Sequence, residues 1–190
     1  MVIDVGAGDG RFPYERARLD PASFYIGIDP DAESLKEYAY RASRKPSRGG
    51  IDNVAFVVAS VEHLPAELDG LAAAVYINYP WGGLLRGLLL ADPDVLSALA
   101  RLAAPQGSMG IVLTYDPAHD LGAALEPLPS PGFDYIDQVL APAYEKAGVK
   151  LTSRRLLTRD EALAIASTWG RRLLHGRERD VFLIEGLVQH

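Results

Sequence analysis

Short apolar runs alternate along the chain with longer stretches in which apolar residues recur at helical spacing, a pattern that predicts an α/β sheet rather than a bundle or a barrel. Val2–Val5 forms a first strand rich in β-favouring residues, and Arg11–Leu19 a helix that exits at Asp20-Pro21. Residues 24–28 read as a second strand, after which Asp29-Pro30-Asp31 caps a helix running through Arg44. Residues 45–53, with Pro46, Gly49 and Gly50, form a loop before a third strand at Val54–Val58. Residues 71–78 are the most continuous apolar run, as expected of a central parallel strand buried on both faces. Residues 84–104, broken near Asp92-Pro93, supply helix, and 107–114 a fifth strand. Residues 121–132 are Pro-rich and read as an extended linker across the open edge of the sheet. A helix over 133–147 ends at Gly148, a strand follows at 149–157, and a helix over 158–174 is capped by Thr158 with Glu161 three residues on. A last strand at 181–188 closes the sheet. The expected architecture is one α/β domain over residues 1–190, its sheet mostly parallel with a final antiparallel strand and helices on both faces.

Candidate chemistry begins where the first strand ends, in Gly6-Ala7-Gly8-Asp9-Gly10. Alternating glycines let a backbone turn sharply and approach a ligand without interference from Cβ atoms. The dinucleotide fingerprint is G-x-G-x-x-G, whereas G-x-G-x-G is typical of S-adenosylmethionine (AdoMet) methyltransferases. With no pyrophosphate to hold, such a loop wraps a zwitterionic amino acid and a sugar. Asp29, at the end of the second strand, can accept both ribose hydroxyl protons, and Glu62 follows the third strand in the same way. The loop Tyr79-Pro80-Trp81-Gly82-Gly83 after the fourth strand occupies the catalytic edge. The competing readings are a glycine-rich turn with no ligand and an NAD-type Rossmann binder, the latter disfavoured by the glycine spacing.

Composition narrows the picture further. At 190 residues with 48% hydrophobic content the chain suits a single domain with a full core. No segment reaches the roughly 18 apolar residues of a membrane span, and no basic-then-apolar leader opens the chain. The absence of cysteine excludes disulfides, thiolate metal sites and cysteine nucleophiles, and the four scattered histidines have no metal-binding spacing, so no metal is expected. A cytoplasmic location is compatible with this. The net charge of −6 argues against indiscriminate nucleic-acid binding, yet basic residues are clustered. Residues 151–180 hold seven arginines against four acids, and residues 36–48 hold five basic residues against one. Islands of this kind can seat a phosphate backbone locally, or be ordinary solvated helix faces.

The chain has two tryptophans: Trp81 follows Pro80 at a strand end, and Trp169 stands beside Gly170-Arg171-Arg172. If both face one edge they can bracket a flipped base, each stacking face contributing roughly 1–3 kcal/mol. The bland alternative is hydrophobic packing. Arg172, Arg177 and Arg179 have the bidentate geometry that suits phosphate, the alternative being ion pairs with Glu178 and Asp180.

Taken together, Gly-Ala-Gly-Asp-Gly-Arg at Gly6–Arg11, Phe-Tyr-Ile-Gly-Ile-Asp-Pro at Phe24–Pro30, Lys-Pro-Ser-Arg-Gly-Gly at Lys45–Gly50, Tyr-Pro-Trp-Gly at Tyr79–Gly82 and Trp-Gly-Arg-Arg-Leu at Trp169–Leu173 resemble the aminoglycoside-resistance 16S rRNA (adenine 1408-N1)-methyltransferases over nearly the full chain. The resemblance implies a class I, Rossmann-like AdoMet-dependent fold and methylation of adenine N1 in the 30S subunit, with S-adenosyl-L-homocysteine as the second product. It assigns Asp4, Gly6, Gly8, Asp29 and Glu62 to the cofactor, with Ser167 at its methionine end, and Trp81 and Trp169 to the flipped adenine. Arg172, Arg177 and Arg179, and a second patch of Arg44, Lys45 and Arg48, are assigned to rRNA, and a monomer is the simplest state. Two departures stand out: the family's N-terminal hairpin does not precede Val2, and Gly83 occupies the place of a hydroxyl residue. Rival expectations are a class I methyltransferase acting on another RNA or a small molecule, and a catalytically weak RNA-binding homologue.

Overall fold

The computed structural model describes residues 1–120, 128–176 and 178–189. Seven strands form one sheet: β1 (Val2–Val5), β2 (Tyr25–Asp29), β3 (Val54–Val58), β4 (Ala72–Asn78), β5 (Ala103–Leu113), β6 (Val149–Leu156) and β7 (Phe182–Val188). Their spatial order is β3-β2-β1-β4-β5-β7-β6. β1 to β5 pair in parallel, while β7 lies antiparallel between β5 and β6. This is the mixed sheet that the alternation predicts. The strand order reverses at the β1–β4 pair, and a sheet wound in both directions from one point leaves a crevice beyond the carboxyl ends of its strands there.

Side-chain alternation divides the core between the two faces. On β5, Ile111 and Leu113 join the main cluster with Ile3, Ile77, Leu85, Leu88, Leu96 and Leu99, bringing in α3 (Gly82–Leu89) and α4 (Pro93–Leu102). Val112, one residue out of phase, joins Tyr79, Ala162, Leu173 and Leu174 instead. A third cluster seats α1 (Arg11–Leu19) and α2 (Ala32–Ala42) through Tyr14, Tyr38 and Ala42 against Val54 and Phe56.

Three details depart from the sequence expectations. The helix ends at Leu102 and β5 starts at once, because Ala103 already pairs with Ala72 before a register shift that puts Gln106 at φ 64°. The helix expected at 133–147 is three pieces, α5 (Phe133–Tyr135), a π-helical turn (Ile136–Leu140) and α6 (Ala141–Lys146). The widened turn leads into Pro142, which lacks the N–H an α-helical ladder needs. The helix expected at 158–174 is two, α7 (Arg159–Ala164) and α8 (Thr168–Leu174), because Ile165 leaves helical torsions and Ser167 starts a new cap. Of the Pro-rich linker, residues 121–127 lie outside the described residues, and Leu128 beyond them is buried, its N–H donating to the Tyr115 hydroxyl at 3.1 Å.

Candidate active site

The crevice at the strand ends is a cavity of about 460 Å³, within the range of small-molecule sites. Asp4, Gly6, Gly8, Asp29, Glu62, Trp81, Ser167 and Trp169 all line it, so every residue expected at the cofactor or the base borders one space.

The glycine loop is built on torsions that other residues avoid. Gly6, Gly8 and Gly10 have φ of 75°, 57° and 79°. A Cβ on Gly10 would stand 2.5 Å from Cε1 of Phe56, so space as well as torsion requires glycine there. Gly6 and Ala7 N–H groups both donate to the Ile28 carbonyl at 2.9 Å, tying the loop to β2. Asp29 then fixes the turn: its Oδ2 accepts from Gly8 N–H at 2.8 Å and its Oδ1 from Asp31 N–H at 2.9 Å. Each oxygen retains a lone pair for a hydroxyl donor. Burial raises the proton affinity of this carboxyl, and the two N–H donors offset part of the rise.

Asp4 is the buried carboxyl of the site, 2% exposed, with Asn78 Nδ2 donating to its Oδ1 at 3.0 Å. Burial pushes its carboxyl up to about 8, against the lowering effect of Asn78, and like-charge repulsion from Asp29 and Asp9 adds to the rise. A buried carboxyl held by one side-chain donor and facing a cavity is a receptor for a cation, whose charge would favour the ionised form. Glu62 sits on a short turn at Val61–His63, where hydrogen bonding with Ser60 holds its carboxyl below the usual range. Ser167 accepts from Gly170 N–H at 3.0 Å as the cap of α8, leaving its own hydroxyl proton free to donate.

Trp81 and Trp169 do meet, but not as a sandwich. Their ring centroids are 5.0 Å apart and their planes 69° from parallel, an edge-to-face contact. A base stacked on both would need about 7 Å between near-parallel planes, twice a van der Waals contact, so the rings must part to admit one. The segments carrying them are locked together by Tyr79, which sequence reasoning missed. Tyr79 has φ 52°, its hydroxyl donates to the Ala162 carbonyl at 2.7 Å, and its ring lies under Gly170. A Cβ on Gly170 would stand 2.4 Å from the Tyr79 ring, which explains glycine after Trp169.

The basic residues divide. Arg44, Lys45 and Arg48 are exposed around the turn at Pro46–Arg48, and Arg172 is exposed on α8; none has a carboxylate partner among the described residues. Arg177 lies outside the described residues. Arg179 requires a correction. Its side chain and that of Asp120 are each 3% exposed, and the two form a bidentate pair at 2.5 and 2.7 Å. Arg179 was expected at the rRNA backbone, with Glu178 and Asp180 as the alternative ion-pair partners; its partner is instead Asp120, 59 positions away, a contact no local pattern shows. Burial alone would raise the Asp120 carboxyl, but Arg179 and the Asp116 N–H hold it below its ordinary range. Other residues that sequence reasoning passed over are Asn78, which ends its strand in a polar group as Asp29 does, and Thr168, whose hydroxyl reaches Asp9 in the glycine loop at 2.6 Å.

Among the described residues no group of side chains could hold a metal ion and no helix is long and apolar enough to cross a membrane. The family model for NpmA, 16S rRNA (adenine(1408)-N(1))-methyltransferase, matches residues 1–188. The 16S rRNA (adenine(1408)-N(1))-methyltransferase of Streptoalloteichus tenebrarius is 34% identical over 189 residues, 99% of this chain and 87% of the relative. Among solved structures, a tryptophan-to-alanine mutant of the 16S rRNA (adenine(1408)-N(1))-methyltransferase from Catenulisporales acidiphilia, with the cosubstrate SAM, superposes with a TM-score of 0.90 at 31% identity, covering 100% of this chain and 85% of that one. The aminoglycoside resistance methyltransferase NpmB1 gives 0.84 at 37% identity, with 98% and 86% covered.

Proposed function

Because the chain belongs to the 16S rRNA (adenine(1408)-N(1))-methyltransferase family, we propose that it methylates N1 of adenine 1408 of 16S rRNA in the 30S subunit, with AdoMet as methyl donor, and that the modification confers aminoglycoside resistance. The observation that carries this reading is the single cavity in which the glycine loop, Asp4, Asp29 and Glu62 share a wall with Trp81 and Trp169. The residues present fit AdoMet. Asp4 offers a buried carboxylate to an ammonium group, Asp29 has spare lone pairs for ribose hydroxyls, Gly6 and Gly8 let the backbone come close, and Glu62 and Ser167 add polar contacts on two further sides. When bound, AdoMet supplies an electrophilic methyl group on a sulfonium.

The protein's own work is positioning. Adenine N1 carries a free lone pair at neutral pH, so no side chain has to remove a proton, and alignment with exclusion of water supplies the rate. Trp81 and Trp169, once parted, hold the flipped adenine, and their π faces stabilise the cationic ring that forms as N1 gains the methyl. Arg44, Lys45 and Arg48 on one side and Arg172 on the other seat the rRNA backbone, with Arg177 assigned to the same surface. Arg179, committed to Asp120, is left out of that surface. The reaction needs no metal. The chain works as a single domain and a monomer, in the cytoplasm where 30S subunits reside, a placement supported by the rRNA target named for its relatives. Primer extension across the decoding region of 30S subunits incubated with protein and AdoMet tests the reading. A stop at adenine 1408 is expected, and an uninterrupted transcript alongside measurable AdoMet binding would overturn it.

A further inference from the structure

The first turn of α8 carries Trp169, and three contacts hold it. Two are local to the helix and its seat: the Ser167 cap on Gly170, and Gly170 lying on the Tyr79 ring. The third leaves the helix altogether. Thr168 Oγ1 donates to Asp9 Oδ2 at 2.6 Å, across 159 positions of sequence. Asp9 stands between Gly8 and Gly10, both in left-handed torsions, and its other oxygen accepts from Arg11 N–H at 3.1 Å. One oxygen of the carboxylate is therefore held within the glycine-loop segment, and the other meets α8 through Thr168. Asp9 and Thr168 both border the cavity. α8 has only seven residues and joins α7 through the non-helical stretch 165–167. Trp169, next to Thr168, now lies edge-on to Trp81 and fills the space a base would need.

We infer that Asp9 and Thr168 are positioning residues whose hydrogen bond sets Trp169 against Trp81 and makes the state of the glycine loop and the state of the base slot depend on each other. This rests on the reading of the two tryptophans as the base-holding pair. A ligand that orders the loop would aim Asp9 and thereby place Trp169. Binding energies are reciprocal, so a base that moves Trp169 would be felt at the cofactor end. The contact acts through Trp169 and touches neither reacting atom.

The chain's two tryptophans make the test direct, because indole–indole exciton coupling in circular dichroism can come only from this pair, and the Trp169→Phe spectrum supplies the background of the other rings. Thr168→Val keeps the shape of the side chain and removes the donor; Thr168→Ser keeps the donor; Asp9→Ala removes the acceptor from the other side. The coupled signal, recorded on the full chain without RNA, is expected to fall at least twofold in Thr168→Val and Asp9→Ala and to return in Thr168→Ser. With 30S subunits, kcat is expected to drop about tenfold in Thr168→Val and to recover in Thr168→Ser, while the AdoMet dissociation constant of Thr168→Val moves less than threefold. An unchanged indole signal in both donor-less and acceptor-less variants would overturn the inference, as would a lost signal with unchanged kcat. If the wild-type protein fails to methylate 30S subunits, the substrate reading fails, and the indole signal still decides whether the contact positions Trp169.

Discussion

The inner wall of the cavity is made of strand ends in a parallel sheet, while the outer wall is a seven-residue helix held by contacts that reach up to 159 positions along the chain. On the inner wall each functional group follows a strand: Asp4 lies within β1, Asp29 ends β2 and Asn78 ends β4. Pairing of the strands brings these groups together, and the glycine loop is set by its own torsions, by the Gly6 and Ala7 N–H groups donating to the Ile28 carbonyl and by Gly8 N–H donating to Asp29. On the outer wall, Trp169 depends on Tyr79, Ser167 and Asp9, and the turn after α8 leads to an arginine whose partner is Asp120. The difference implies that base handling is exposed to single substitutions far from Trp169, while α8 reaches the cofactor edge only through Ser167 and the Thr168–Asp9 contact.

Removing the buried pair is the severest way to break the comparison. Asp120→Ala would leave the Arg179 guanidinium buried without its bidentate partner, a loss expected to cost about 3–5 kcal/mol in stability. Denaturant unfolding should show the loss. Replacing both partners together, Asp120→Leu with Arg179→Met, should recover most of it, because two matched apolar groups need no counter-charge. A single variant as stable as wild type would mean that the fold does not depend on this pair.

The tryptophans separate the two walls functionally. Stacking on an aromatic face is worth about 1–3 kcal/mol per base, so Trp81→Ala or Trp169→Ala should lower methylation of 30S subunits about tenfold to a hundredfold. AdoMet affinity by calorimetry should change less than threefold in Trp169→Ala, since that ring belongs to the outer wall. A parallel loss of cofactor affinity would show that the walls are one unit.

Asp4 tests the inner wall through pH. Its carboxyl titrates near 8 in the folded protein and near 4 when unfolded, so the folded chain binds more protons between those values. The stability of the ligand-free protein should therefore fall as pH rises through that window. Asp4→Asn removes the titration and should be the more stable protein at pH 9. Binding an ammonium ligand favours the ionised form, so AdoMet affinity should rise with pH, by up to about tenfold per unit below pH 8, with a proton released on binding. Calorimetry in buffers of different ionisation enthalpy measures that proton. A pH-independent affinity would place the ammonium elsewhere.

The contrast between the walls also marks what could be read from residues alone. The glycine loop, Asp29, Glu62 and the β1-to-β5 alternation are local patterns, so the mostly parallel sheet, its antiparallel last strand and the gathering of these residues at one edge were legible. The break at 165–167 was not, because the capping box at Thr158 and Glu161 and the apolar spacing through Leu174 are equally consistent with one helix. What decides is Ser167, whose cap competes with helix continuation only once Gly170 has settled on Tyr79. The orientation of the indoles was likewise out of reach. Two tryptophans near one edge predict proximity, but 69° between their planes is a property of packing. Arg179 shows the same limit: its charge suggested a surface role, and only the fold reveals Asp120 beside it.

The smallest expected effect sharpens the inner wall. Gly83, the second residue of α3, is exposed, and a Cβ there would meet only Glu62 Oε1, at an ordinary 3.9 Å. Its φ is outside the left-handed region that Gly82 occupies, so a side chain causes no backbone strain. Gly83→Ser, which restores the hydroxyl that the family resemblance leads one to expect, should change stability by less than about 0.5 kcal/mol. Its hydroxyl would stand within reach of Glu62 at the cofactor edge, and AdoMet affinity is expected to rise by less than threefold. A tenfold loss would show instead that Glu62 needs the open space beside it to meet its ligand, and that the inner wall too depends on a detail that strand pairing does not set.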